Sequence, residues 1–578
     1  MYANQQAKTN KGKMKNLWNR MGLERPLPAF THYVRKINDF EEDEFDRFWT
    51  RHRVNEFNDY SIFSNTDKLK IMDSAIQGCF LISNLKHYGY LKAYFPLHNE
   101  YEMTGWKRDK HIKADPLEED LQKAMGDDVY EYIEPDEKFV VEVWSSNIWK
   151  VFTPPVDMIR HYYGEKIAYY FDFIALESKF VSILIIFGLL NAITLWIKAT
   201  DSTISQVFII MYAIVNVVVA TIFIEYLKRE EKYRAATWGT TKLAEEDYIR
   251  PLFKGIFRRS PINDDLNDPH YTFFMKYWRI IFSIIILLIC TGIAAGLSVG
   301  LFVARYKLAK EWEGQSKIIW SPIITSIAGG ILLYFKDFLF KPVCKMLTRL
   351  ENIKTEAAFE YSYVMKFFFF RFINIYGPLF YIAFAKKYVT GCISTENNFI
   401  REQNTCLWEL RYDLIVNFIL YMAMNAFEIL VPFMSMGKIL GMKIDEETIK
   451  GKTQEEILRK KVYIEYHKNS YEDGEINGVV EEYFEIIIQI GIVFLFSIAF
   501  GLIPVIVVFG NVLETLIDRK KLVSLTQRPV QQSAKSHGIF TFLVEIMAFV
   551  GIFTNFGVMC FTAEALGNDA KFTGFIWS

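Results

Sequence analysis

The fold class this chain predicts is a polytopic α-helical membrane protein with an N-terminal α+β cytosolic domain, on three observations. Apolar runs recur from about residue 178 to 562, each close to the ~20 residues a helix needs to cross a bilayer. Charged residues are concentrated in the segments between those runs. Ahead of residue 165 the chain mixes charged, polar and apolar residues as a soluble domain does, so the domains read as 1–165 and 166–578. The composition agrees: 51% hydrophobic residues beside 23% charged ones is a membrane region averaged with soluble parts. A net charge of −1 offers no bulk attraction to nucleic acid, which is not an expected partner.

The N-terminus, MYANQQAKTNKGKMKNLWNR, is polar and basic with no apolar core, so a cleaved secretory signal is not expected and the first span does the targeting. Residues 68–89 have helical apolar spacing, and 91–98 and 138–144 read as strands. The acidic runs near 116–120 and 134–137 read as solvated surface. An aromatic, amphipathic approach, YYGEKIAYYFDFIALESKF, leads to the bilayer. Nine spans are expected, near 178–198, 205–227, 277–303, 318–340, 364–385, 411–434, 483–500, 502–518 and 538–562, the seventh and eighth also readable as one broken hairpin. Of six cysteines, only Cys392 and Cys406 fall close together in one inter-span loop, where a bridge and two free thiols are both open.

Lysine and arginine placement sets the orientation. The connection after the second span (Lys228, Arg229, Lys232, Arg234, Arg258, Arg259), that after the sixth (Lys438, Lys443, Lys450, Arg459, Lys460, Lys461) and the end of the eighth (Arg519, Lys520, Lys521) are cytosolic. The third connection, with Arg305, Lys307, Lys310 and Lys317, runs against the bias. The N-terminus is cytosolic on this count.

Residues 481–521 carry the most unusual chemistry. Glu482 and Glu485 open the seventh span, Glu514 and Asp518 close the eighth, and Glu428 lies near the inner end of the sixth. An ionisable group at membrane depth costs roughly 3 kcal/mol, which makes such a set a functional-site hypothesis. Spacings of three and four put each pair on one helix face, and a turn near 501–504 returns both pairs to the same side. Asn425 and Asn511, each three residues before a glutamate, add neutral oxygens. Five carboxylates call for compensation, and divalent calcium, which takes six to eight hard oxygen ligands, suits them better than magnesium. The absence of His and Cys in these segments argues against zinc, copper or iron. Interfacial carboxylates, or a proton or monovalent-cation pathway, are the competing readings.

EYFEIIIQIG, NVLETLIDRKKL with QRPV, NAFEILVP, the 347–384 stretch, YYGEKIAYYF, and GCI followed by CLWEL together resemble the anoctamin family of calcium-regulated membrane proteins. The resemblance implies an anoctamin-like helical bundle. It assigns Glu428, Glu482, Glu485, Glu514 and Asp518 as Ca²⁺ ligands, with two ions per subunit, and Asn425 stands beside Met424 where many members carry a polar residue. It also implies a homodimer, and a tenth span after the ninth, where this chain closes at KFTGFIWS. The activity it implies is calcium-activated scrambling of membrane phospholipids along a groove of helices three to seven, or conduction of chloride or other anions; a non-transporting tether or regulator is the third reading. Ser321, Thr325, Ser326, Lys336, Asp337, Lys366, Arg371, Asn374, Tyr376 and Tyr421 are the groove candidates, with helix-to-helix hydrogen bonding as their alternative role. The apolar sixth span ahead of Glu428 (Ile419, Leu420, Met422) lacks the basic lining of an anion pore and favours scrambling. A P-loop, an HExxH motif and a nucleophile elbow are absent, so an enzyme is not expected. The expected location is the plasma membrane or an endomembrane.

Overall fold

In a computed structural model of the chain, the described residues are 52–53, 60–61, 65–79, 82–98, 151–196, 202–241, 250, 252–259, 267–312, 317, 320–389, 391, 406–407, 409–420, 454–471 and 476–559. Ahead of the bundle lie a short antiparallel pair, β1 (His52–Arg53) with β2 (Tyr60–Ser61), and helices α1 (Asn65–Cys79) and α2 (Ile82–His87). The helix expected at 68–89 is therefore present in two pieces. The strand expected at 91–98 is not formed: those residues pair with no strand among the described residues. That expected at 138–144 lies outside the described residues.

The bundle is entered through α3 (Val156–Tyr163), which ends at Gly164. Gly164 has φ 94°, and a Cβ there would meet Gln531 and Gln532 at 3.3 Å, so the sharp entry requires glycine. Next come α4 (Glu165–Trp196) and α5 (Ser202–Thr237), then a hairpin of β3 (Ile256–Arg259) with β4 (Asn267–His270). The chain continues through α6 (Phe273–Glu311), α7 (Trp320–Leu350) and α8 (Glu356–Phe380), the last running on through a π turn, Tyr381–Ala385, to Val389. After a helical run at 409–420 come α9 (Gln454–Tyr466), α10 (Gly478–Phe496), α11 (Ile503–Lys520) and α12 (Ile539–Gly557). Local chemistry sets several of these ends. Thr355 accepts a bond from Ala358 N–H at 3.3 Å ahead of α8, Asn477 accepts from Val479 N–H at 3.0 Å ahead of α10, and Pro504 stands in the first turn of α11.

Among the described residues, six helices are long and apolar enough to cross a membrane: α4, α5, α6, α7, α8 with its extension, and α12. The other three expected spans fare differently. α10 and α11 are the expected hairpin, turning through 497–502, but they carry several charged residues. The span expected at 411–434 is described only to residue 420. The first span starts at Glu165 rather than near 178, because the aromatic approach is continuous with it.

α4 packs along α5 and α11, α10 along α12, and α6 against α7 and α8. Within a bilayer such contacts rest on close packing and internal hydrogen bonds rather than on expulsion of water. Asn555 Nδ2 donates to Phe494 O at 2.6 Å, and Tyr376 hydroxyl to Ile488 O at 2.9 Å. Gly188 of α4 meets Gly501 in the α10–α11 turn, where a Cβ on Gly188 would sit 2.2 Å from Gly501 O. Gly188→Val should lower the melting temperature of the purified protein, with a cost of about 1–3 kcal/mol for forcing backbones apart. An unchanged melting temperature would show that the two segments do not touch.

The positive charges of the third connection need correction. Arg305, Lys307 and Lys310 lie within α6, and Arg305 is buried. Its guanidinium pairs bidentately with Asp413 (2.5 and 3.1 Å), lies 3.6 Å from Glu409, and donates to Thr325 Oγ1 at 2.7 Å and Ser326 Oγ at 2.8 Å. Lys386 also pairs with Glu409, so two cations answer two carboxylates where α6, α7, α8 and the 409–420 helix meet. Arg411 Nε donates to Ala499 O at 2.8 Å, which places this network beside the α10–α11 turn, at the end of the bundle opposite the acids. Cys406 is disulfide-bonded, Cys392 lies outside the described residues, and Cys290 and Cys344 are free.

Candidate metal centre

Three of the expected ligands converge. One carboxylate oxygen each from Glu482, Glu485 and Glu514 lie within 4.8 Å of one another. The α10–α11 turn makes this possible, because it returns α11 antiparallel to α10 with both acidic faces turned inward. Glu482 and Glu514 are 3% and 2% exposed, which places their charge in a poorly solvated setting. Oxygens so spaced can share an ion that bonds at about 2.3–2.6 Å. The donor set is wholly hard oxygen, and Asp518 Oδ1, buried one turn further along α11, has no hydrogen-bond partner among the described residues. Both features fit calcium.

The remaining expected ligands divide. Asp518 accepts a short hydrogen bond from Tyr170 of α4 on its Oδ2. Asn511, one turn before Glu514, donates from Nδ2 to Ser178 Oγ of α4 at 3.1 Å, and its Oδ1 has no hydrogen-bond partner among the described residues. Glu428 and Asn425 lie outside the described residues.

Three neighbours escape a reading of the sequence. Lys521 Nζ lies 2.8 Å from Glu482 Oε1, brought there by the π turn Lys521–Leu525 that ends α11. In sequence it counts only as an orientation charge, and its place directly after an acidic helix end is the available signal. Tyr170 and Lys341, which pairs with Glu481 at 3.0 Å, give no signal, since each comes from a helix more than a hundred residues away.

The polar residues of α7 and α8 are engaged in pairs. Ser321, Thr325 and Ser326 belong to the Arg305 network. Asp337 pairs with Arg371 at 2.9 Å, and Lys366 with Glu351 at 2.8 Å. Lys336 donates to Ser298 at 2.7 Å and lies 3.4 Å from Asn374 Oδ1. In this conformation they join helices; Tyr421 lies outside the described residues.

A histidine seals the loop between α11 and α12. His537 is buried, with Nδ1 2.9 Å from the Tyr483 hydroxyl, and burial lowers its pKa from 6.5 to about 3. Between those values the unfolded chain takes up a proton that the folded one refuses, so stability is full above about pH 6.5 and falls toward pH 3 by up to ~1.4 kcal/mol per unit. Melting curves from pH 7 to 4 should show His537→Gln losing less stability than wild type; parallel losses would contradict this.

The comparisons with known proteins bear on this arrangement. A family model described as "Anoctamin: Calcium-activated chloride channel" matches residues 159–577. The chain belongs to the anoctamin family. Anoctamin-4 of Bos taurus is 26% identical over 488 residues, covering 73% of this chain and 51% of its own length. Anoctamin-3 of Mus musculus is 24% identical, covering 71% of this chain and 47% of its own length, and Anoctamin-10 of Mus musculus 25%, covering 69% and 57%. The chain thus spans about half the length of these relatives. Membership makes this anoctamin an integral membrane protein of a calcium-activated family, in accord with the carboxylate triad and the six apolar helices.

Proposed function

We propose that this anoctamin is a calcium-activated phospholipid scramblase, working as a homodimer with its N-terminus in the cytosol. The observation that carries the calcium dependence is the triad of Glu482, Glu485 and Glu514, whose oxygens lie within 4.8 Å of one another at one end of a hairpin, with Glu482 and Glu514 buried. Calcium, when bound, supplies the positive charge that such a group of acids lacks. Glu482 and Glu485 present their oxygens from α10 and Glu514 from α11, while Lys521 partly offsets Glu482. The acids repel one another and repel Glu428 on the sixth helix, so compensation of their charge favours a state in which that helix draws in. Two ions per subunit would nearly balance the five carboxylates.

Scrambling is favoured by the apolar later part of the 409–420 helix, where Ile419 is 61% exposed, and by polar residues of α7 and α8 that could exchange their mutual bonds for lipid headgroups. The family description favours the second reading, a calcium-activated chloride channel. Protein in liposomes, assayed for flipping of headgroup-labelled lipid and for halide flux with and without Ca²⁺, separates them. Calcium-dependent flipping is the expected result. Halide flux alone would establish the channel reading, and activity in neither assay would overturn both.

A further inference from the structure

We infer that the polar seam of the centre continues one helical turn past Glu514 and ends in a further cation-binding position, formed by Glu177 of α4 with Asn511 of α11. The inference rests on the calcium reading above.

Three contacts define how α4 lies along α11. Tyr170 meets Asp518, Ser178 meets Asn511, and Gly188 meets Gly501, so the helices run antiparallel in constant register. Glu177 is seven residues past Tyr170, two turns along the same face and about 10 Å further from the acid-bearing end. On α11 the spacing from Asp518 through Glu514 to Asn511 covers the same interval. The seam therefore presents acid, acid and amide from one helix, and tyrosine, glutamate and serine from the other.

The deep end has bare oxygens. Glu177 is 0% exposed, and neither carboxylate oxygen has a hydrogen-bond partner among the described residues. It sits beside the Asn511 amide. Asn511 is also 0% exposed, and its Oδ1 is unpartnered while its Nδ2 is directed at Ser178. Two carboxylate oxygens and an amide oxygen thus stand together with the Asn511 amide N–H as the one nearby donor, an arrangement that costs free energy for each group left unpaired. Exchanging the amide oxygen and nitrogen of Asn511 would pair at most one Glu177 oxygen and leave the other bare. A cation that seeks oxygen satisfies all three at once. Its position, one turn beyond Glu514, makes the first span a participant in cation binding and ties α4 to α11 when the ion is present.

Calcium binding by the purified full chain in detergent, measured by equilibrium binding of radiolabelled Ca²⁺, tests this. Glu177→Gln should remove one bound Ca²⁺ or raise the half-saturating concentration about tenfold, and Glu177→Asp, which keeps the charge, should retain binding. An isotherm for Glu177→Gln that superposes on wild type overturns the inference and leaves the calcium reading intact. A wild type that binds no Ca²⁺ overturns both. Should Glu177→Gln fail to fold, judged by its melting curve without Ca²⁺, the wild type answers directly. A cryo-EM map in Ca²⁺ should show ion density within about 2.3–2.6 Å of a Glu177 oxygen. Density confined to Glu482, Glu485 and Glu514 overturns the inference.

Discussion

Glu514→Gln is expected to raise the Ca²⁺ concentration for half-maximal activity at least about a hundredfold. On the calcium reading, Glu514, 2% exposed and sharing the triad with Glu482 and Glu485, supplies one charged oxygen to the ion, which the substitution removes. Losing a buried charged partner costs on the order of 3 kcal/mol, and each 1.4 kcal/mol is tenfold in affinity. Glu482→Gln should act in the same direction by less, because the Glu482 charge is already partly compensated by Lys521 at 2.8 Å. Glu545→Gln is the control: that carboxylate is 36% exposed and pairs with Lys228 on the outside of α12. Calcium titrations of liposome activity measure all three. Wild-type calcium dependence in Glu514→Gln would remove this residue from the site.

Arg305→Leu should be the most destabilising single substitution at the opposite end of the bundle, by about 3–5 kcal/mol. The change leaves Asp413 buried without its bidentate partner and leaves Glu409 with Lys386 alone. It also strips donors from Thr325 and Ser326. Because this network joins α6 and α7 to the 409–420 helix, its loss should loosen those helix ends together. Melting temperature of the detergent-solubilised protein reads the loss, and the charge-reversed pair Arg305→Asp with Asp413→Arg should recover part of it. An unchanged melting temperature in Arg305→Leu would contradict a stabilising pair.

Much of the centre is legible in the amino-acid sequence. Spacings of three and four put Glu482 with Glu485 on one face and Glu514 near Asp518 on another, and Gly501 and Pro504 mark the turn between them. The turn falls where expected, at 497–502, and three of the acids meet. Asn511 has the right spacing too, and what its sequence position does not reveal is the bond its Nδ2 makes to Ser178 of α4. Arg305 misleads for a related reason. In sequence it stands among lysines that look like a loop, whereas the helix runs on past it and folds it inward.

The sequence by itself determined that this chain crosses a membrane repeatedly, that acids gather at one end of a helical hairpin, and that the family is that of the anoctamins. These follow from hydropathy, helical period and ordered motifs, all of which act over a few residues. The tertiary structure alone decided which other side chains meet those acids: Tyr170 on Asp518 and Lys521 on Glu482. It also decided that Asp337 pairs with Arg371, and Lys336 with Asn374, across α7 and α8. The physical reason is register. Two antiparallel helices can slide by a turn without altering either one's own pattern, and only the packed contacts, such as Gly188 against Gly501, select the alignment that brings particular polar groups together.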